Sequence, residues 1–461
     1  MVNRVLFVLG ICIVAGCTPD SAPTDIPVNP HARYLSMIED VREKVQSVRQ
    51  LHFLKPISVG IITRDEYAGN MINYPRYYEA YTVMLKQLCL IPDTMRDVGS
   101  YVRAFNAGFP AAYYSWGTDS ITLINPADYD TIVLKEIIAH EFSHALQDQH
   151  FNIDFDASIP YRSTSNFNSD YYTVGRCLAE GDAVTSELNY LKSIGLFSLN
   201  IQVYCKNKFD SYFDSLSLNN FPQFLKIKSM FPYKAGAAYV AKIQRNEGWK
   251  SIDSLYHAKR ALSTAEIVTG ESFEPSEFDV SPLVKDWYSN SINVKFADDD
   301  NYGPVWLMAI LNKYITRTDC SKAFGWRGDR FVYMLNDDSQ WGKFVWALNF
   351  KEGSDAVHMF QLFDTLITSR VLGGNITVRK EISTDSLIQF NSGSIKTCLI
   401  RNDRNLFWIE NIEDPVTVAS SIMPNILVKR GNTGLRIIPE PELIYLKKQI
   451  INNKFLPFTT P

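Results

Sequence analysis

In residues 130–151, DTIVLKEIIAHEFSHALQDQHF, the segment His140-Glu141-Phe142-Ser143-His144 carries two histidines four positions apart and a glutamate beside the first. A helix turns once per 3.6 residues, so positions four apart share a face. His140 and His144 can therefore point two imidazoles at one metal ion, and Glu141 can reach a water on that ion. This is the HExxH spacing of zinc hydrolases. Zinc lowers the pKa of its bound water from about 15.7 to about 7; a carboxylate then takes the proton while the hydroxide attacks a carbonyl. The surrounding residues fit a mostly buried helix. Ile132, Val133, Leu134, Ile137, Ile138, Ala139, Phe142, Ala145 and Leu146 are apolar, while Lys135, Glu136, Gln147 and Asp148 leave one wet stripe. Two histidines and a glutamate are costly to bury in such a helix unless something binds them.

Catalytic zinc takes three protein ligands and keeps one position open, and two candidates compete for the third. His150 stands ten positions after His140, the metzincin spacing, but those enzymes need a glycine seven after the first histidine for a sharp turn. Here that position is Gln147, and residues 145–149 read as continuing helix. The rival is Glu180, in Cys177-Leu178-Ala179-Glu180-Gly181-Asp182-Ala183. A glutamate from a second helix packed across the first is the gluzincin arrangement, and the reading favours it. His150 then falls to a supporting or helix-end role. Gly181 in mid-helix is unfavourable by about 1 kcal/mol against alanine, which suggests that it permits close approach to the motif helix. Asp182 or Glu187 could orient a zinc-bound imidazole by accepting its other N–H; for Glu187 a solvated pair with lysine or arginine is expected.

His140 to Phe151, with Ala145-Leu146-Gln147-Asp148-Gln149, resembles the HELTHALQDQxF element of a group of bacterial and archaeal gluzincin-like metallopeptidases, in which an EGDA-like element follows, as at Glu180 to Ala183. The resemblance continues at Pro232-Tyr233-Lys234-Ala235-Gly236, Glu247-Gly248-Trp249, Leu262-Ser263-Thr264 and Gly325-Trp326-Arg327-Gly328-Asp329-Arg330, so it spans roughly residues 55–365. It implies that His140, His144 and Glu180 bind zinc and that Glu141 is the general base. Phe142-Ser143 stands where the group has Leu-Thr, and residues 265–273 lack its histidine-proline.

The elements that must position these residues are legible in outline. Residues 33–54, 75–90 and 93–105 read as helices and 57–63 as a strand. Residues 111–114 and 120–125 flank a turn near Gly117 and read as a hairpin. In many zinc peptidases a strand just before the motif helix borders the cleft, and extended substrate pairs with its edge. Residues 171–190, 204–229, 235–246 and 302–315 read as further helices. Tyr233, Tyr256 and His257 are candidate donors to an oxyanion. Residues 331–335 and 344–350 read as strands, and 354–367 as a helix capped by Ser354. Asp329 and Arg330 are expected to fix a turn between them, with Arg327 or Arg330 a weaker candidate for a substrate carboxylate. Short β-like runs follow at 376–378, 397–400, 406–409 and 426–428. The expected fold class is α+β: a mostly helical zincin-like domain over 31–374 with a small sheet beside the HExxH helix, and a small β-rich region over 375–461.

The start, Met1-Val2-Asn3-Arg4 and then an apolar run ending Val14-Ala15-Gly16-Cys17, describes an export signal over 1–17 whose last four residues look like a lipobox. Cys17 would then be lipidated, residues 18–30 would be a proline-rich tether, and attachment to the cell envelope, as at an outer membrane, would rest on acyl chains. The remaining cysteines, Cys89, Cys177, Cys205, Cys320 and Cys398, have no CxxC spacing and point to neither a disulfide framework nor a thiolate zinc site. A hydrophobic content of 46% with 21% charged residues fits a globular protein. The net charge of −4, without a dense basic block, argues against nucleic acid. The expected function is zinc-dependent peptide-bond hydrolysis on a peptide or protein substrate by a lipoprotein, with Glu141 activating the zinc-bound water. The alternatives are a non-catalytic zinc-binding surface lipoprotein that binds a partner, against which the base Glu141 argues, and hydrolysis of another amide.

Overall fold

The structure is a computed structural model and describes residues 32–69, 75–108, 110–116, 118–153, 167–196, 222–257, 263–289, 293–311, 323, 325–370, 379–392 and 395–422. The export signal, Cys17, the tether, Cys205, Cys320 and the runs at 376–378 and 426–428 lie outside the described residues.

In chain order the elements are α1 (Ala32–Arg49), β1 (Ser58–Ile62), α2 (Arg64–Gly69), α3 (Pro75–Gln87), α4 (Val98–Gly108), β2 (Ala112–Ser115), β3 (Ser120–Ile124), α5 (Thr131–Phe151), β4 (Phe167–Asn168) and α6 (Ser169–Ser193). Then come α7 (Gln223–Phe231), a π-helical turn (Pro232–Gly236), α8 (Ala237–Glu247), α9 (Trp249–Tyr256), α10 (Thr264–Thr269), α11 (Ser281–Ser289), β5 (Val294–Asn301) and α12 (Gly303–Leu311). The rest is β6 (Trp326–Asn336), β7 (Lys343–Phe350), α13 (Gly353–Thr368), β8 (Arg379–Ser383), β9 (Leu387–Ser392), β10 (Ile395–Asn402), β11 (Asn405–Glu410) and α14 (Pro415–Ser421). The class is mixed α+β, as expected.

A three-stranded sheet in the order β1-β3-β2 lies beside α5, with β1 parallel and β2 antiparallel to β3. This places β2 at the edge of the sheet. Tyr114 of β2 is 2% exposed, and its hydroxyl donates to Asp148 of α5 at 2.7 Å. That bond ties the edge strand to the motif helix.

The second sheet is larger than the sequence suggested. Eight strands run β4-β5-β6-β7-β11-β10-β9-β8. The β-rich stretch after residue 374 is not a separate sheet: β11 pairs antiparallel with β7, Trp408 opposite Trp346 and Phe407 opposite Ala347. Continuous apolar residues on both strands explain the pairing, because Phe344, Val345, Trp346, Ala347, Leu348, Leu406, Phe407, Trp408 and Ile409 are all buried and such strands need cover on both faces. Phe363 of α13 supplies part of it, its ring 5.2 Å from that of Trp408.

Two local expectations are corrected here. Ser354 does not cap α13; the helix starts one residue earlier, and its N-cap is Glu352, whose side chain makes no capping bond. Asp329 and Arg330 do not fix a turn between them. They lie in β6, where Asp329 accepts from the backbone N–H groups of Tyr302 and Gly303 and from the indoles of Trp326 and Trp346, while Arg330 pairs with Asp299. A carboxylate buried in a sheet must find donors where the chain brings them, and here they come from the start of α12 and from neighbouring aromatic residues.

Candidate metal centre

Helix α5 is well terminated. Asp130 accepts from the N–H groups of Ile132 and Val133, and Asn152 ends the helix in the left-handed region at φ 49°. Its capped first turn and apolar face let it run twenty-one residues through the core. The face carrying His140, Glu141 and His144 meets α6, which Asn168 caps through the N–H of Tyr171. Glu180, near the middle of α6, thereby lies opposite the two histidines.

His140 Nε2, His144 Nε2 and one carboxylate oxygen of Glu180 all lie within 4.8 Å of one another, and these residues are the only such group among the described residues. The separations are 3.1 Å between the two Nε2 atoms, 3.3 Å from His140 Nε2 to Glu180 Oε2 and 3.5 Å from His144 Nε2 to the same oxygen. His150 lies elsewhere. Its ring nitrogen meets the carbonyl of His52 at 2.7 Å, because the helix continues past Gln147 and turns that side chain to another face.

The other ring nitrogens decide what the cluster can hold. His140 Nδ1 lies 2.8 Å from Glu187 Oε2 and His144 Nδ1 lies 3.0 Å from Gln147 Oε1. The Gln147 amide is oriented by its own N–H, which donates to the carbonyl of Ala179 at 3.0 Å. Both partners of the Nδ1 atoms are therefore acceptors, so each Nδ1 carries the proton. Both Nε2 atoms then present lone pairs toward a carboxylate oxygen. Three such groups converging in a buried space call for a cation among them, either a proton on His140 or a metal ion, and two imidazoles with one carboxylate is a donor set that suits zinc. These residues could hold a metal ion, and their chemistry fits one.

The electrostatics agree. Burial lowers the pKa of His140, but hydrogen bonds to Glu180 and Glu187 outweigh it and raise it to about 10. Burial raises the carboxyl of Glu180, but its bonds to both histidines hold it well below the usual carboxylate range. An arrangement that stabilises positive charge on a buried imidazole stabilises a metal cation in the same place. Glu141 is 8% exposed, and burial pushes its carboxyl up, opposed by the two histidines and by the N–H of Tyr114 on β2. The candidate base thus faces the outer edge of the three-stranded sheet.

Glu187 is 1% exposed and orients His140, where the sequence had suggested a solvated pair. Asp182 instead points behind α6, to buried Arg49 at 2.8 Å and to the hydroxyl of Tyr256. The difference is one of helical phase: 187 lies seven positions, about two turns, beyond 180, whereas 182 is rotated well off that face. Gly181 does permit a close approach, but to the π-helical turn rather than to α5. A methyl group built on Gly181 would overlap the backbone of Gly236, and one on Gly236 would overlap the carbonyl of Cys177. This contact of two glycines brings Tyr233 to the site, its ring stacked 6.2 Å from that of His140 and its hydroxyl hydrogen-bonded to Glu180. Tyr256 and His257 do not reach it: Tyr256 bonds Asp182 and stacks on Phe151, and His257 packs against the same ring. Arg327 is held by Glu271 at 3.1 Å and lies over Phe273.

Sequence reasoning missed three residues here. Gln147 was weighed as a missing glycine and as part of a wet stripe, but it is fully buried, and three positions from His144 it shares its face. Trp116, whose ring is 5.6 Å from that of His144, carried no local signal. Arg176 stands one turn before Glu180, with a guanidinium nitrogen 3.6 Å from Glu180 Oε1. No family model matches the chain, and neither does any curated protein or solved structure.

Proposed function

We propose that this protein is a zinc-dependent, gluzincin-like peptidase held at the cell envelope through a lipidated Cys17. The observation that carries the reading is the convergence of His140, His144 and Glu180 with a buried glutamate, Glu141, beside them and facing β2, an outer strand of its sheet among the described residues. Zinc held by the three ligands would polarise a substrate carbonyl and acidify water. Glu141 takes a proton from the attacking water on its carboxylate and returns it to the leaving amine; its raised pKa suits both tasks. Burial keeps the Tyr233 hydroxyl protonated well above the ordinary phenol range; its one O–H bonds Glu180, and turned to a substrate carbonyl it would stabilise charge developing on that oxygen. The edge of β2 offers backbone N–H and C=O groups to an extended chain, which favours a peptide over another amide. Glu187 and Gln147 hold the two imidazoles in the tautomer that leaves Nε2 for the metal.

Replacing Glu141 with glutamine keeps the shape and removes the base. Zinc content should remain that of wild type, while cleavage of an unstructured protein such as casein should fall about 10²–10⁴-fold. Undiminished cleavage by Glu141→Gln would refute the mechanism. Zinc binding by wild type with no cleavage of any peptide library would return the protein to a non-catalytic zinc-binding role.

A further inference from the structure

The guanidinium of Arg176 is largely shielded, with 20% of its side chain exposed, and stands at the metal centre rather than on the outer surface. Its one ion pair among the described residues is with Glu180 Oε1 at 3.6 Å, longer than a hydrogen bond. The other oxygen of the same carboxylate, Oε2, is the one that faces His140 and His144. Glu180 is thus flanked by the ligand cluster on one side and by a cation on the other. An arginine carries five N–H donors in a planar fork shaped for a carboxylate, and a 3.6 Å pair leaves that fork largely unused. Tyr233, which bonds Glu180 and stacks on His140, also lies in the field of Arg176. Arg49, behind the same helix, by contrast bonds both oxygens of Asp182 and one of Asp253, leaving its Nη1 over.

We propose that Arg176 binds a carboxylate of the substrate next to the scissile bond, and that the protein therefore removes residues from the carboxy terminus of peptides or cleaves beside acidic residues. This rests on the peptidase reading of the centre. Arg176 is a specificity residue in this scheme; Glu141 keeps the proton transfer.

The test uses full-length protein loaded with cobalt(II), whose visible spectrum changes when a thiol enters the coordination sphere. Three probes are titrated: mercaptoacetyl-leucine, its carboxy-terminal amide, and mercaptoacetyl-aspartyl amide, which carries only a side-chain carboxylate. Wild type should bind at least one carboxylate probe roughly ten- to a hundredfold more tightly than leucine amide, as expected for a charge-assisted contact. Preference for the free leucine acid identifies a terminal carboxylate, and preference for the aspartyl amide an acidic side chain. Arg176→Gln should bring all three probes to the affinity of leucine amide while leaving cobalt affinity within a few fold, and Arg176→Lys should keep part of the preference. Equal binding of all three by wild type overturns the proposal even if neither variant folds. So does a preference that survives in Arg176→Gln, or a uniform weakening of all probes together with cobalt, which would mark Arg176 as a support for Glu180 alone. Absence of a cobalt spectrum in wild type defeats the metal reading and the proposal with it.

Discussion

Glu187 and Gln147 make no contact with substrate in the proposed scheme, yet each sets which nitrogen of a histidine is available. Glu187→Ala should lower zinc affinity about 10–100-fold, measured by competition with a chromophoric chelator, with Asp182→Asn causing far less loss because Asp182 bonds Arg49 and Tyr256 instead. Protons and metal compete for His140. Its pKa is raised from 6.5 to about 10 in the fold. For the metal-free protein, the stability it contributes is complete below about pH 6.5 and is lost as pH rises toward 10. Chelated protein should therefore lose denaturant resistance across that window, while zinc-loaded protein should not. Zinc affinity should climb through the same window as the competing proton leaves. A flat stability profile for chelated protein would show that Glu180 and Glu187 do not hold a proton on His140.

Among the elements, two contacts assemble the centre around α5. The first is the glycine pair that seats the π-helical turn on α6. Such turns occur often at functional sites because they re-aim side chains, and here the re-aimed residue is Tyr233. Gly236→Ala meets the carbonyl of Cys177 at an ordinary helical φ, so its cost is steric. It should destabilise by about 1–3 kcal/mol and reduce cleavage while zinc stays bound. The second is the Tyr114–Asp148 bond between β2 and α5. Tyr114→Phe should cost about 1–2 kcal/mol in denaturant unfolding and raise KM for extended peptides more than it lowers kcat, since it would loosen the strand proposed to receive them.

At the scale of the whole molecule, the large sheet and its helices are held by polar contacts as well as by aromatic packing. Glu410, fully buried on β11, pairs with Arg370 after α13 and accepts from Gln87 at the end of α3. Gln87 in turn accepts from Tyr333 and from the N–H of Gly342. Removing one partner of a buried pair strands the other charge, so Glu410→Ala should cost about 3–5 kcal/mol. Zinc affinity of the folded fraction should be unchanged, because none of these groups touches the candidate metal centre. A parallel loss of zinc affinity would reveal that the large sheet supports the site directly.

What the sequence determined by itself was local and periodic. Two histidines at a four-residue spacing, a flanking glutamate, a continuing helix where a metzincin would turn, and a hairpin just before it are all readable because helix and strand periods are short-range properties. Glu180 was legible because a second helix with an acidic residue in mid-run is itself a local pattern. The tertiary structure decided the rest. It chose Glu187 over Asp182 as the partner of His140, set Gly181 against Gly236 instead of α5, and placed Arg176 and Tyr233 around Glu180. It also joined β7 to β11, strands that the expected boundary at 374 had put in separate regions. Each of those choices depends on the relative rotation and register of elements far apart in the chain. Packing sets that geometry, and no single segment carries it.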